Sequence, residues 1–310
     1  MNYIMLDSAS CVDMLRFRLY WSGKTEYGVE WYEKLYADMC IEFDWKKRDE
    51  QDHEPIVRYP LSIRIGTYRD MFKVPVGDSS IIFGFGRNGK GSAEERREGF
   101  LEFNPSKTYP SPQLEYVYKR IEATPEVELT LKRWDFATDY PIKRESVSLM
   151  KDKRKYTYIK SNGVTEYLGT RNNNGYVKLY DKQKELEKQG VERSDPLTRL
   201  EITIEEDGKR KAWKAGGAEI PLNEWPRAIL VPQDVPKQAK GLYGLIIASW
   251  TFGMPLERCL DFVGRNQRAK YRNKIAEEYG QLAHPVAFDR CRRNAFAWEE
   301  RYGGLGIEEE

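Results

Sequence analysis

Residues 175–190 read GYVKLYDKQKELEKQG, and their pattern changes halfway along. In the first half, apolar and polar residues alternate, which predicts a β-strand over Gly175–Tyr180. The second half carries helix-forming residues from Lys182 to Lys188, and Gly190 then suits the end of a helix. The sequence therefore predicts a strand that runs into a helix, with a tyrosine at the junction.

The alternation also predicts which side chains share a face of this strand. Tyr180 falls on the same face as Lys178, whereas Val177 and Leu179 fall on the other. A free tyrosine has a pKa of about 10 and is a poor nucleophile at neutral pH. Nearby lysines favour the phenolate, or stabilise charge on a phosphate under attack. From the residues alone, Tyr180 is either an amphipathic surface aromatic or a nucleophile assisted by Lys178 and Lys182.

Two predicted strands around this segment each carry an arginine followed two residues later by an acid. The earlier strand contains Arg133 and Asp135, and the later one contains Arg199 and Glu201. Residues i and i+2 of a strand share a face, so each pair lies on one face. Convergent carboxylates in a chain with only two histidines suit Mg²⁺ or Mn²⁺. The alternative for Arg133 and Asp135 is a structural ion pair.

The whole chain reads as an α+β fold, because alternating segments dominate up to residue 206 and helical patterns dominate after it. Strands are predicted at 12–20, 61–74, 80–85, 100–103, 128–140 and 197–204, with a hairpin over 156–168 and a helix over 112–123. Later helices are predicted at 239–250, 254–262, 265–279 and 285–301, after a connector at 230–237. We therefore predict a first domain over residues 1–206 and a mainly helical region over residues 207–310.

The composition predicts a globular protein with a very polar surface, since 32% of its 310 residues are charged although the net charge is only +2. Positive charge is concentrated in clusters at 143–160, 209–214 and 265–274. Such clusters are typical of phosphate contacts, and a solvated charged face is the alternative. The candidate DNA-binding residues in them are Arg154, Lys155, Arg265, Arg268, Lys270 and Arg272. With 20 tyrosines and 8 tryptophans available to stack bases, the composition favours a nucleic-acid partner.

Targeting signals are not visible in the sequence. No apolar run reaches the roughly 18 residues of a membrane span, and the first residues lack the pattern of a secretion leader. The four cysteines have no metal-ligand or redox spacing, which fits reduced thiols. We therefore expect a cytoplasmic protein without a membrane partner.

A glycine-rich stretch, GFGRNGKG at residues 84–91, fits the nucleotide-binding pattern G-x-G-x-x-G and nearly fits a phosphate loop. A phosphate loop needs Ser or Thr after its lysine to hold magnesium, and a helix directly afterwards. Here Gly91 follows Lys90, and the next segment is short and leads into a strand. The stretch therefore favours a glycine-rich hairpin or loop over a nucleotide site.

Four segments, taken in order, resemble the rolling-circle replication initiators. The likeness is to the gene II proteins of filamentous phages and to the replication-initiation relaxases of Gram-positive plasmids and integrative elements. The segments are VDMLRFRL, LEFNPSK, KRWDFATD, and YDKQKEL followed by TRLEI, and they span most of residues 11–204. In that family a tyrosine in a Y-x-K-x-x-E-L context attacks one DNA strand, and here the matching residues are Tyr180, Lys182, Glu185 and Leu186.

The resemblance implies a ferredoxin-like palm with an antiparallel sheet and a metal-dependent, site-specific DNA endonuclease. Tyr180 would attack a phosphodiester, stay joined to the 5′-phosphate and leave a 3′-OH primer, with Lys178 and Lys182 beside the reacting phosphate. The implied partners are a single-stranded or hairpin origin on a plasmid or phage, and a host helicase and polymerase. For the helical C-terminal region, three roles stay open: DNA binding, dimerisation with a second copy of the chain, and helicase recruitment.

The resemblance also implies positions for the metal and the DNA. This chain has no His-hydrophobic-His pair, so Mg²⁺ or Mn²⁺ would be held by carboxylates, for which the candidates are Glu102, Asp135 and Glu201. Arg133 and Arg199 would contact DNA. The alternative function is a non-catalytic DNA- or RNA-binding protein of a mobile element, in which the carboxylates are structural and the tyrosines only stack bases.

Overall fold

The computed structural model describes residues 3–4, 9–44, 56–59, 68–87, 97–160, 163–171, 173–205 and 226–282. The described strands are β1 (Tyr3–Ile4), β2 (Ala9–Trp21), β3 (Val57–Tyr59), β4 (Tyr68–Val76), β5 (Ser79–Arg87), β6 (Glu98–Phe103), β7 (Val127–Tyr140), β8 (Val147–Met150), β9 (Tyr156–Lys160), β10 (Val164–Leu168), β11 (Val177–Asp181), β12 (Thr198–Glu205), β13 (Arg227–Leu230) and β14 (Gln281–Leu282). The described α-helices are α1 (Thr25–Met39), α2 (Pro105–Thr108), α3 (Pro112–Glu122), α4 (Lys182–Lys188), α5 (Gly241–Thr251), α6 (Leu256–Cys259) and α7 (Arg268–Glu278).

The chain divides into two compact units, and the division falls inside strand β7, between Asp135 and Phe136. The first unit contains residues 12–135, and the second contains residues 136–282 together with the described residues before Val12. The predicted domain boundary after residue 206 lies next to residues 207–225, which are outside the described part of the chain. That boundary therefore stays a prediction.

The first unit is a sheet with the strand order β3-β4-β5-β6-β2-β7, and its neighbouring pairs from β3 to β2 are antiparallel. Helix α1 packs aromatic side chains on this sheet: the ring of Tyr32 lies 5.3 Å from that of Phe72, which stacks on Phe83 at 5.3 Å. All three rings are buried. Burial of this much aromatic surface is the main stabilising contribution in such a core.

The glycine-rich stretch at 84–91 begins inside strand β5, which runs to Arg87. A Cβ at Gly84 would collide with the ring of Phe100 on the neighbouring strand, so packing explains this glycine. The start of the stretch is therefore part of a sheet. Residues 88–91 lie outside the described residues.

The second unit contains the sheet order β7-β12-β11-β10-β9, in which the pairs from β12 to β9 are antiparallel. A smaller sheet has the order β1-β14-β13-β8. Helices α5, α6 and α7 build an apolar core around Trp250 and Ile229. The Trp250 indole N–H, which is buried, donates to Ser148 Oγ at 2.8 Å, so its polar group is satisfied.

A fully buried ion pair joins strand β10 to the segment before β8. Arg144 donates to Glu166 at 2.5 Å, and the two side chains are only 2% and 1% exposed. Glu166 also accepts hydrogen bonds from the Tyr156 hydroxyl at 2.7 Å and from the Leu149 backbone N–H at 3.2 Å. This cluster was not predicted from the sequence.

The predicted α+β class is confirmed, with an antiparallel sheet and a largely helical described C-terminal part. Helix α1 and the smaller sheet were not predicted, and the helix predicted at 285–301 lies outside the described residues. Within the described ranges, the helices are all too short or too polar to cross a lipid bilayer.

Candidate functional site

Strand β11 places Lys178 and Tyr180 on one face of the sheet. Val177 and Leu179 are fully buried on the opposite face, which anchors the alternation. The Lys178 Nζ lies 3.6 Å from the centroid of the Tyr180 ring, the geometry of a cation–π contact. The prediction that these two residues share a face is therefore confirmed, but Tyr180 is only 6% exposed and is not a surface aromatic.

Helix α4 begins directly after the strand and brings further charge to the tyrosine. The Asp181 side chain accepts a hydrogen bond from the Lys184 backbone N–H at 2.9 Å, so it caps the first turn. That turn sets Lys182 and Glu185 on one side of the helix, where Lys182 Nζ is 2.6 Å from the Glu185 carboxylate. Lys182 Nζ also lies 6.0 Å from the centroid of the Tyr180 ring.

Glu185 links both lysines to the tyrosine hydroxyl. Burial acts to raise the pKa of Glu185, but the hydrogen bond from Lys182, the positive charges of Lys182 and Lys178, and a hydrogen bond with Tyr180 outweigh it. The pKa of Glu185 is therefore lowered from its usual range, and the group is a carboxylate at neutral pH. As a carboxylate it accepts the hydrogen bond that the Tyr180 O–H donates.

The register of the sheet adds a second row of charged residues beside the tyrosine. Tyr180 stands opposite Arg199, and Lys178 stands opposite Glu201 on strand β12. Arg199 donates two hydrogen bonds to Asp139, at 2.6 and 2.8 Å. Arg199 is thus held by an acid on strand β7, with a fork geometry that suits a bidentate pair.

The two metal-ligand candidates of the first unit are both bound by arginines. Glu102 accepts a hydrogen bond from Arg16, its register partner, at 2.6 Å. Asp135 accepts two hydrogen bonds from Arg133, at 3.0 and 2.9 Å. Arg133 and Asp135 therefore form the ion pair that was the alternative to a metal ligand in the sequence.

The third metal-ligand candidate, Glu201, lies in the second unit. Over the ranges that the structure describes, no three or more His, Cys, Asp or Glu side chains are grouped so that they could hold a metal ion. The requirement for Mg²⁺ or Mn²⁺ stays a prediction.

The basic residues proposed for DNA contact have different environments. Arg154 binds Asp152 and also donates to the carbonyl of Gly175 at 2.7 Å, which holds the loop before strand β11. Arg272 forms a bidentate pair with the buried Glu257, and Arg268 pairs with Asp261 at 2.9 Å. The side chains of Lys155, Arg265 and Lys270 are exposed. The cluster at 209–214 lies outside the described residues.

Sequence reasoning placed Tyr176 on the face of Lys178 and Tyr180, but it missed a second tyrosine neighbour, Tyr167. Tyr167 on strand β10 stands opposite Lys178, and its ring stacks on that of Tyr176. The hairpin over residues 156–168 was predicted. Its pairing with strand β11 carries no local signal, because register depends on contacts across the sheet.

The comparisons with known proteins give a distant structural likeness. No protein-family model matches this sequence, and no match was found among curated proteins. One similar solved structure is a rolling circle replication initiator protein from Geobacillus stearothermophilus, with 13% sequence identity and a TM-score of 0.37. The alignment covers 86% of this chain and 97% of that chain.

Proposed function

We propose that the protein nicks and rejoins one DNA strand through a covalent 5′-phosphotyrosine at Tyr180, as an initiator of rolling-circle replication. The observation that carries the proposal is the group around the Tyr180 ring: two lysine ammonium groups, at 3.6 and 6.0 Å from its centroid, and the Glu185 carboxylate at its hydroxyl. The sequence resemblance to such initiators supports the same reaction.

The reaction is a transesterification that these residues are suited to assist. The Tyr180 oxygen attacks phosphorus and forms a new O–P bond, and the bond to the 3′-oxygen breaks with its electron pair leaving on that oxygen. The proton of the tyrosine hydroxyl passes to solvent, because the lowered pKa of Glu185 makes it a weak base, and the 3′-oxygen takes a proton from solvent to become a 3′-OH. One phosphodiester is exchanged for another, so the reverse reaction rejoins the strand.

The lysines supply positive charge where negative charge develops. A unit charge at about 4 Å from another contributes about 4 kcal/mol at an effective dielectric constant near 20. Lys178 and Lys182 would stabilise both the phenolate and the extra charge on the phosphate oxygens in the transition state. The divalent metal expected from the resemblance would add positive charge at the phosphate. The candidate ligands for this metal remain Glu102, Asp135 and Glu201.

A covalent-adduct assay tests the proposal. The full chain is incubated with a single-stranded oligonucleotide from its own replicon and Mn²⁺, and the adduct is resolved on a denaturing gel. Tyr180→Phe keeps the ring beneath Lys178 and removes only the attacking oxygen, so it should form no adduct. The matched control, Tyr176→Phe, should form as much adduct as the unaltered chain.

A second candidate is a nucleic-acid-binding protein without catalysis. The observation that favours it is that two carboxylates are already bound by arginines. Asp135 and Asp139 each accept two hydrogen bonds from an arginine, as structural ion pairs do. On this account the lysines around Tyr180 bind phosphate only. Binding of the cognate strand without any covalent product, in the presence of Mn²⁺, would support the second candidate and contradict the first.

A further inference from the structure

Two tyrosines form a stacked pair on the sheet of the second unit. The ring centroids of Tyr167 and Tyr176 are 5.8 Å apart, and the ring planes differ by 16°. Both side chains are half-buried, so part of each ring reaches solvent. Leu168 follows Tyr167 and Val177 follows Tyr176 in the sequence. These two residues pair with each other and are fully buried on the opposite face of the sheet. The buried core on that face is therefore formed by other side chains than the two tyrosines.

The pair lies on the same face as Tyr180. Tyr167 stands opposite Lys178, whose ammonium contacts the Tyr180 ring. Tyr176 precedes Tyr180 by four residues, which is about 13 Å along a strand. At about 3.4 Å per stacked nucleotide, that length corresponds to roughly four nucleotides or fewer of a single strand. A single DNA strand with one phosphate at Tyr180 can therefore place a nearby base at the rings of Tyr167 and Tyr176.

The position of Tyr176 is fixed by its backbone. Thr203 donates its backbone N–H to the carbonyl of Tyr176, and Gly175 donates to the carbonyl of Thr203, both at 2.8 Å. Arg154 holds Gly175 from the other side, at 2.7 Å. A rigid, positioned ring loses little entropy when a base stacks on it, which is the property of a stacking platform.

Charges of both signs lie near the pair. The positive charge of the exposed Arg171 and the negative charge of Glu201 both act on the Tyr176 hydroxyl. Arg171 is therefore available to a phosphate, and the half-buried rings of Tyr167 and Tyr176 are available to a base.

We propose that Tyr167 and Tyr176 form a base-stacking subsite for single-stranded DNA, which holds a base within about four nucleotides of the phosphate that Tyr180 attacks. This inference rests on the proposed function. The alternative is a purely structural role, in which the aromatic pair only stabilises the sheet, as cross-strand aromatic neighbours do. The two accounts differ in one respect, since only the subsite distinguishes DNA that has bases from DNA that lacks them.

The test compares two fluorescein-labelled probes of equal length, about 16 nucleotides: an oligothymidylate, and an abasic oligomer that keeps the phosphates and lacks the bases. Binding is measured by fluorescence anisotropy in full chains that all carry Tyr180→Phe, so no cleavage occurs. Tyr176→Leu should weaken oligothymidylate binding by roughly 5- to 150-fold, the range expected for loss of one stacked base. It should leave binding of the abasic oligomer unchanged.

Two further variants complete the test. Tyr176→Phe keeps the ring and should bind both probes like its parent, and Tyr167→Leu should repeat the selective loss of oligothymidylate binding. Equal binding of oligothymidylate by the Leu and Phe variants would overturn the subsite, as would equal losses for both probes. Formation of the Tyr180 adduct by the unaltered chain, measured separately, shows whether the proposed function stands when the subsite fails.

Discussion

The Lys178 Nζ lies 3.6 Å from the centroid of the Tyr180 ring, on a strand face whose opposite side is buried. A contact of this kind between an ammonium and an aromatic ring is attractive by itself, by roughly 0.5–2 kcal/mol. It also keeps a positive charge at the tyrosine, where a phosphate would arrive. On the proposed function, Lys178 would contribute to both packing and chemistry, and the two contributions can be separated by experiment.

Replacing Lys178 tests the chemical contribution. Lys178→Met keeps the aliphatic stem against Tyr180 and removes the charge, so covalent-adduct formation should slow by about 100-fold, the usual effect of losing one transition-state donor. The rate is measured on a denaturing gel. The control is Lys184→Met on the following helix α4, since Lys184 is half-exposed and pairs with Asp181. Equal rates for the two variants would contradict the role of Lys178.

Glu185 makes stability depend on pH in a defined direction. Its pKa is lowered in the folded protein, so its contribution to the free energy of unfolding is present above the unfolded-state pKa of about 4.3. That contribution is lost as the pH falls through the lower folded-state value. Unfolding by urea should therefore show the unaltered chain more stable than Glu185→Gln at pH 7, with the difference shrinking below about pH 4.

The matched control for this measurement is Glu187→Gln, because Glu187 is exposed on the same helix. Its difference from the unaltered chain should be small at pH 7. A Glu185→Gln difference that grows as the pH falls below about 4 would have the wrong sign for a carboxylate stabilised by Lys182.

The buried pair of Arg144 and Glu166 predicts a large loss of stability. Arg144→Met leaves the Glu166 charge buried without its guanidinium partner, which should cost about 3–5 kcal/mol in free energy of unfolding. Adding Glu166→Gln removes that charge and should recover part of the loss. Urea unfolding measures both, with Lys184→Met as the surface-pair control at about 0–1 kcal/mol. An Arg144→Met loss no larger than the control would show that the pair is not buried as described.

Metal removal tests the predicted requirement for Mg²⁺ or Mn²⁺. Chelation with EDTA should abolish adduct formation, and added Mn²⁺ should restore it. If Glu201 is a ligand, Glu201→Gln should raise the Mn²⁺ concentration needed for half-maximal adduct, whereas Asp195→Asn, an exposed acid, should not change it. Full activity in EDTA would show that the lysines suffice without a divalent ion.

The sequence predicted those parts of the fold that depend on neighbouring residues. The junction of β11 and α4 was readable because alternation changes to helical spacing there, and Asp181 provides the cap. Helix α1 was missed because Lys24 precedes it and makes no capping hydrogen bond, so its start has no local signal. Its buried face consists of Gly28, Tyr32, Leu35 and Met39, which have helical spacing, but a glycine and a tyrosine stand at two of these four positions.

The contacts of the site that were not predicted from the sequence depend on long-range pairing. Arg199 was predicted to share a strand face with Glu201 and to contact DNA, and its hydrogen bond to Asp139, sixty residues earlier in the chain, was not predicted. The stack of Tyr167 on Tyr176 likewise requires the register of β10 against β11. Such contacts are set by the assembled sheet, and periodicity within one strand does not reveal them.

The central claim is that Tyr180 is the residue joined to DNA, and peptide mapping of the adduct tests it most directly. Trypsin cleaves after Arg171, Lys178 and Lys182, so Tyr176 and Tyr180 fall in separate peptides. After nuclease trimming, mass spectrometry should find the nucleotide on the peptide Leu179–Lys182. A nucleotide on the peptide that contains Tyr176, or an adduct that persists in Tyr180→Phe, would contradict the assignment.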